Sequence, residues 1–408
     1  MGLNNTPFSE RIQIGFFGRT NAGKSSLINA ICGQQVSLVS DVKGTTTDPI
    51  KKSMELLPLG PVLLIDTPGL DDNSQLGELR EQRTKEILKQ IHIAVIVADS
   101  TEGLQQQELW LEEQLMHSNI PYVIAYNKKD LLVEKMGKKE VTSNNLKEDD
   151  TKKQKKVLYV SAVTKENIEL LKEKIASIPI QRTEKKLISD LLTLGDHVVL
   201  VIPIDKSAPK GRLILPQQQT IRDILDAGCT LSICQVDTLV ETLEQLKNPP
   251  RLVITDSQVF SKVKDLIPEK MMLTSFSILF ARYKGDLEEN VKGAFHIGKL
   301  KDGDKILISE GCTHHRQCGD IGTEKLPNWI LKYTQKKLNF EFTSGEDFPA
   351  DLSKYQLIIH CGGCMLNEKQ MQERLECAKQ QKTPITNYGM AIAYLNHILE
   401  RSIEYFNV

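Results

Sequence analysis

The chain has 408 residues, more than one hydrophobic core ordinarily supports, so two or three domains are expected. Its 52 lysines and arginines against 53 aspartates and glutamates disfavour a general nucleic-acid binder, whose usual footprint is a positive excess. No stretch approaches the ~18 unbroken apolar residues of a membrane-spanning helix and the first strand starts close to Met1, so no signal peptide, no membrane partner and a cytoplasmic location are expected.

Arg11 to Phe17 reads as a strand, and it runs into Gly18-Arg19-Thr20-Asn21-Ala22-Gly23-Lys24-Ser25, a G-x-x-x-x-G-K-S loop opening the apolar helix Ser26 to Cys32. Strand, loop and helix in that order are what a phosphate-binding loop requires. Its backbone N–H groups, from Gly18 through Ala22, Gly23 and Ser26, can converge on phosphate, Lys24 can neutralise β and γ oxygens, and Ser25 can ligate Mg²⁺.

Gly44-Thr45-Thr46-Thr47-Asp48 then falls where a switch loop would offer Thr46 to the same metal. A second buried strand, Val62 to Ile65, ends in Asp66-Thr67-Pro68-Gly69, placing Asp66 in the magnesium shell and the Gly69 N–H near the γ-phosphate. Strand Tyr122 to Tyr126 leads into Asn127-Lys128-Lys129-Asp130, an N-K-x-D motif. The Asp130 carboxylate can accept from both N1–H and N2–H₂ of guanine, a donor pair that adenine lacks, so the expected cofactor is GTP. A short strand Val157 to Val160 brings Ser161-Ala162 to the base, and five motifs in one order make a GTPase the reading of this domain.

Asn21 within the first loop, together with Gly-Thr-Thr-Thr-Asp at Gly44 to Asp48, resembles the Era- and MnmE-type branch of translation-factor-related GTPases. That resemblance implies a K⁺ ion held beside the phosphates by Asn21. Leu70 stands where Ras-type enzymes carry a water-orienting glutamine, so slow hydrolysis would rest on Lys24, Asn21, Thr46, Asp66, Gly69 and the cation.

Leu131 to Lys156 is dominated by charged and polar residues and reads as a solvated excursion. Helix Lys165 to Ser177 closes the domain and Pro179 to Lys186 is a linker. Strands are then expected at His197 to Ile204, Thr230 to Val236, Arg251 to Thr255 and Lys270 to Thr274, with helices between them, which implies a small parallel sheet. The basic loop Asp205 to Arg212 reads as a solvated turn, and scaffolding or subunit pairing is the default role of this domain.

A third block resumes the alternation, with strands Lys305 to Ser309, Asn339 to Thr343, Gln356 to Ile359 and Pro384 to Thr386 and helices including Glu368 to Gln380 and Met390 to Glu400. The fold class is therefore α/β throughout: a P-loop GTPase domain at 1–180, then two smaller domains with mainly parallel sheets at 181–274 and 275–408.

Cys312-Thr313-His314-His315 follows one of those strands and His360-Cys361-Gly362-Gly363-Cys364 another. Ligands gather at the carboxyl ends of parallel strands, so the two groups are expected to meet. Cys312, Cys361 and Cys364 with His314 or His360 describe equally a structural zinc site and an iron–sulfur cluster with one exchangeable ligand, and spacing leaves both open. Cys32, Cys229 and Cys234 sit in apolar runs and Cys377 in a helical pattern, all read as structural.

A GTPase of this type joined to C-x-H and, at a distance, H-C-x-x-C is similar over the whole chain to the HydF family, the scaffold GTPases of FeFe-hydrogenase maturation. The resemblance implies a homodimer in which Cys312, Cys361 and Cys364 ligate a 4Fe–4S cluster whose fourth iron stays exchangeable, with His314 and His360 at or near that position. Cys318 and His315 are additional to the family motifs, which account for the site without them, so both are read as non-ligating; the partners that the resemblance implies are radical-SAM hydrogenase maturases and apo FeFe-hydrogenase. The competing expectation is a zinc-containing regulatory GTPase of ribosome or tRNA biogenesis, which predicts a basic RNA-facing module and is disfavoured by the balanced charge and the lack of a recognisable KH-like platform.

Overall fold

The computed structural model describes residues 8–33, 50–70, 84–136, 156–180, 185–204, 213–311, 320–345, 347–363 and 365–406. Two compact units result, Met1–Arg182 and Thr183–Val408.

The first unit is built on a six-stranded sheet in the order β2-β3-β1-β4-β5-β6. Its strands are β1 (Ile12–Phe17), β2 (Ile50–Leu56), β3 (Gly60–Asp66), β4 (Ile93–Asp99), β5 (Tyr122–Asn127) and β6 (Val157–Tyr159). Every residue of β1 and β4 is buried, the mark of parallel strands covered on both faces. One face packs on helices Lys24–Cys32 and Ile168–Ala176 through Leu27, Ile31, Leu171 and Ile175, and the other packs on Gln106–His117 through Leu111 and Leu115. β2 pairs antiparallel with β3 and is half-exposed, as an edge strand can be. The charged stretch opens as a helix, Lys129–Met136, continuing directly from the N-K-x-D turn, while residues 137–155 lie outside the described residues.

β1 lies between β3 and β4, and the chain passes from β1 to one neighbour and then returns to the other side. The crevice at its carboxyl end is thus a topological switch point, and the Gly18–Ser25 loop occupies it.

The second unit carries two four-stranded parallel sheets. The first, in the order β10-β9-β7-β8, uses β7 (His197–Val201), β8 (Thr230–Cys234), β9 (Leu252–Thr255) and β10 (Leu273–Ser275). The second, in the order β12-β11-β13-β14, uses β11 (Lys305–Glu310), β12 (Asn339–Ser344), β13 (Leu357–His360) and β14 (Ile385–Asn387). One core spans both: Val199, Val253 and Phe260 pack with Val291, Met390, Ala393 and Leu399. The long helix expected at Met390 to Glu400 is broken instead into Tyr388–Leu395 and Leu399–Ile403, because His397 between them adopts a left-handed φ of 55°. β11 lies between β12 and β13, so the second sheet has its own switch point at the carboxyl ends of β11 and β13.

Candidate nucleotide and metal sites

The first crevice gathers most of the motif residues. Lys24, buried in the first turn of its helix, donates from Nζ to the carbonyls of Gly18 at 3.0 Å and Arg19 at 2.9 Å, which centres the ammonium inside the loop. The Ser25 hydroxyl bonds to Asp66 Oδ2, while Asp66 Oδ1 is buried with no hydrogen-bond partner among the described residues. An alcohol and a carboxylate brought together with one oxygen left over fit the oxygen-ligand chemistry of Mg²⁺. Ser26 and Asn21 are exposed at the mouth, Asn21 with φ of 63°. Thr46 and the rest of Gly44–Asp48 lie outside the described residues.

Gly69 approaches so closely that a Cβ there would stand 2.3 Å from Thr20 Oγ1, and the next residue, Leu70, donates its N–H to the Gly18 carbonyl at 3.2 Å. The Asp66-Thr67-Pro68-Gly69 segment is therefore in direct contact with the phosphate loop.

Asn127, 2% exposed, joins the N-K-x-D and Ser161-Ala162 segments to that loop. Its Nδ2 donates to Ala22 O at 3.0 Å and its Oδ1 accepts from Ala162 N at 3.0 Å. Gly23, at φ of 88°, makes room for it, since a Cβ would meet Asn127 Nδ2 at 2.3 Å. Ser161 Oγ donates to Asp130 Oδ1 at 2.5 Å, which orients the carboxylate.

Two supports are invisible to motif reading. Lys128 Nζ lies 2.7 Å from Asp99 Oδ2 at the end of β4. Burial alone would raise the Asp99 carboxyl, but the hydrogen bonds from Lys128 and Thr101 outweigh it and hold the group below the usual range. Glu108, wholly buried on helix Gln106–His117, accepts at Oε1 from both the Arg19 backbone N–H (3.3 Å) and Arg19 Nε (3.1 Å). Its Oε2 accepts from Gln105 N at 3.0 Å, so one carboxylate caps its own helix and anchors the phosphate loop. An acidic residue three positions after Gln105 was the only sequence signal of this role.

At the second switch point Cys361 follows β13, its N–H bonded to Ser309 O at 2.9 Å. Its Sγ accepts from the N–H groups of Gly311 (3.0 Å) and Gly363 (3.4 Å). Gly311 immediately precedes Cys312, so the end of β11 and the Cys361 loop stand side by side. Two backbone N–H groups aimed at one sulfur favour its thiolate, the form that ligates a metal. Helix Glu368–Gln380 starts just beyond, with Asn367 and Gln370 closing a reciprocal capping box. Cys312, His314, His315, Cys318 and Cys364 lie outside the described residues, and among the described residues no group of three His, Cys, Asp or Glu side chains converges. Cys229 and Cys234 are buried; Cys32 and Cys377 are half-buried.

His360, 1% exposed, has both ring nitrogens engaged, Nδ1 with Cys361 O at 2.7 Å and Nε2 with Arg374 at 2.7 Å. Tyr388 donates from its hydroxyl to the buried Glu310 at 3.3 Å. Burial first, then Glu310 and Cys361, push the Tyr388 phenol far above its usual range, so it stays neutral.

The fold and the loop set of the first unit define a P-loop GTPase domain. Residues 13–128 match the family described as 50S ribosome-binding GTPase, residues 187–285 the Hydrogen maturase F dimerization domain, and residues 288–405 the Hydrogen maturase F tetramerization domain. The chain belongs to the HydF family of hydrogenase maturase GTPases. Its dimerization and tetramerization domains support oligomerisation.

Curated relatives match the GTPase part. GTPase Der of Stenotrophomonas maltophilia is 37% identical over 149 residues, 36% of this chain and 31% of the relative. The tRNA modification GTPase MnmE of Nitrosomonas europaea is 32% identical over 164 residues, 40% of this chain and 34% of the relative. The chain thus spans about a third of the length of these relatives. Among solved structures, a probable GTP-binding protein engB is 26% identical over 40% of this chain and 96% of its own, with a TM-score of 0.28. Among the described residues no helix is long and apolar enough to cross a membrane.

Proposed function

We propose that this chain is a cytoplasmic GTP-hydrolysing scaffold that binds a 4Fe–4S cluster and assembles or delivers the diiron precursor of the FeFe-hydrogenase active site. The observation carrying this reading is the cradle of the Cys361 sulfur, Gly311 N–H and Gly363 N–H on one Sγ at a switch point, in a chain with both HydF domains. Cys312, Cys361 and Cys364 are the proposed ligands, and the division 1–180, 181–274 and 275–408 assigns nucleotide, dimer and cluster to successive domains.

In the nucleotide domain, Gly18, Ala22, Gly23, Lys24, Ser25 and Ser26 would hold the phosphates, and Asn127, Lys128, Asp130, Ser161 and Ala162 the guanine. Ser25, Thr46 and Asp66 would hold Mg²⁺. Hydrolysis by Lys24, Asn21, Thr46, Asp66 and Gly69 is slow and K⁺-stimulated in this reading, since Leu70 cannot orient water. The cluster supplies an iron able to exchange a ligand, and the partners are radical-SAM maturases and apo FeFe-hydrogenase.

Iron, sulfide and zinc analysis of anaerobically reconstituted protein, with EPR after reduction, tests the proposal against the zinc-containing regulatory GTPase. About four irons and four sulfides per chain, lost in Cys361→Ala, are expected. One tightly held zinc with no sulfide would overturn it.

A further inference from the structure

We propose that Arg374 is the positioning residue of the Cys361 site, locking His360 into a supporting role so that His360 is not a metal ligand. The inference rests on the metal-site reading above.

Arg374 projects from helix Glu368–Gln380 and is 7% exposed. A guanidinium so deeply buried is costly unless its donors are used. Its NH1 reaches His360 Nε2 at 2.7 Å and Ser309 Oγ at 3.4 Å, and its NH2 donates to Gly345 O at 2.7 Å. The guanidinium carbon also lies 5.0 Å from the centre of the Phe348 ring. Ser309 and His360 lie at the carboxyl ends of β11 and β13 and Gly345 directly follows β12, three adjacent strands. One planar fork therefore ties together the strand ends from which Gly311 and Cys361 emerge, a geometry that a lysine point charge cannot reproduce.

Arginine has donors only, so the His360 Nε2 facing it must accept. The proton then sits on Nδ1, which donates to Cys361 O at 2.7 Å. One lone pair is taken by Arg374 and the other nitrogen carries hydrogen, leaving neither for a metal. The ring instead fixes the Cys361 backbone, whose Sγ is set by Gly311 and Gly363. A positive charge held one imidazole away from the ligating cysteine also favours the reduced, more negative state of a cluster bound there.

The test uses the full chain, reconstituted anaerobically, as wild type, His360→Ala, Arg374→Gln and Arg374→Lys. GDP affinity of the first unit serves as a control for general damage. Metal analysis of the wild type decides the metal-site reading. The variants decide this inference. Expected are a wild-type metal content in His360→Ala with no histidine nitrogen coupling lost from the pulsed EPR spectrum, and a reduction potential shifted negative with altered g-values in Arg374→Gln. Arg374→Lys should restore the potential more than the g-values. A histidine nitrogen coupling lost in His360→Ala, or a potential and g-values unmoved in Arg374→Gln, would overturn it. If His360→Ala does not fold, the double variant His314→Ala/His315→Ala carries the same decision, because a histidine coupling that survives the loss of both neighbours contradicts the proposal. Were the wild type to hold zinc, the nitrogen count from X-ray absorption in His360→Ala would decide the role of His360 separately.

Discussion

Replacing Asp130 by asparagine isolates what fixes the base. Ser161 Oγ donates to Asp130 Oδ1, and Ser161 is wholly buried, so its hydroxyl has little freedom to turn elsewhere. In Asp130→Asn the amide oxygen must take the Oδ1 position to keep that bond, which swings the NH₂ toward the nucleotide. Guanine presents N1–H and N2–H₂ there, so two charge-assisted hydrogen bonds are exchanged for donors facing donors. At roughly 1.5–3 kcal/mol for each bond to a charged group the loss is about 3–6 kcal/mol. GDP affinity should fall by about 10²- to 10⁴-fold by isothermal titration. Xanthosine diphosphate, with an acceptor at position 2, should now bind better than GDP. A loss below about tenfold, or no inversion between the two nucleotides, would refute the argument that Asp130 reads the base and that Ser161 sets its orientation.

Gly23→Ala forces an L side chain to φ of 88° and places a Cβ 2.3 Å from Asn127 Nδ2. Displacing Asn127 breaks its bonds to Ala22 and Ala162, so with ~1–2 kcal/mol of backbone strain and ~1 kcal/mol per bond, GDP affinity should drop by about 10²- to 10³-fold; near-native affinity would mean that the loop does not depend on that contact. Glu108→Ala strands the Arg19 N–H and uncaps helix Gln106–His117. A cost of about 2 kcal/mol should lower the melting temperature of the GDP-bound first unit by roughly 4–8 °C, read by scanning calorimetry, whereas an unchanged transition would reduce Glu108 to a bystander.

The nucleotide site was legible because phosphate binding makes demands on consecutive residues. Gly23 must leave space and Lys24 must begin a helix, and both needs are written in one octapeptide. The supports were not legible because their partners are far away in the chain. Arg19 and Glu108 are 89 residues apart and Lys128 and Asp99 are 29 apart, and neither carboxylate belongs to a motif. β2, β4 and the helix Gln106–His117 stayed unassigned for a related reason: they carry no motif, only the apolar surface that supports one. In the last sheet the strands could be read from their apolar runs, and the occupancy of His360 could not. H-C-x-x-C spacing suggests a ligand, while the arginine that engages the ring lies 14 residues on, across a helix.

The two switch points solve the same electrostatic problem with different local means. After β1, loop amides and the Lys24 ammonium face the place of a polyanion, and the carboxylate that could repel it, Asp66, is paired with Ser25 for a cation. After β11 and β13, two glycine amides face a sulfur, and the fixed positive charge stands behind a histidine. A phosphate must be bound and released as the nucleotide turns over, so its cation reaches it directly on a flexible side chain. A cysteine that is to ligate, as proposed for Cys361, must stay where it is, and there the cation acts through a buried ring and three strand ends. That difference predicts where each site tolerates change: Lys24 variants should fail in nucleotide binding with the fold intact, whereas Arg374 variants should disturb the Cys361 loop itself while GDP affinity is kept.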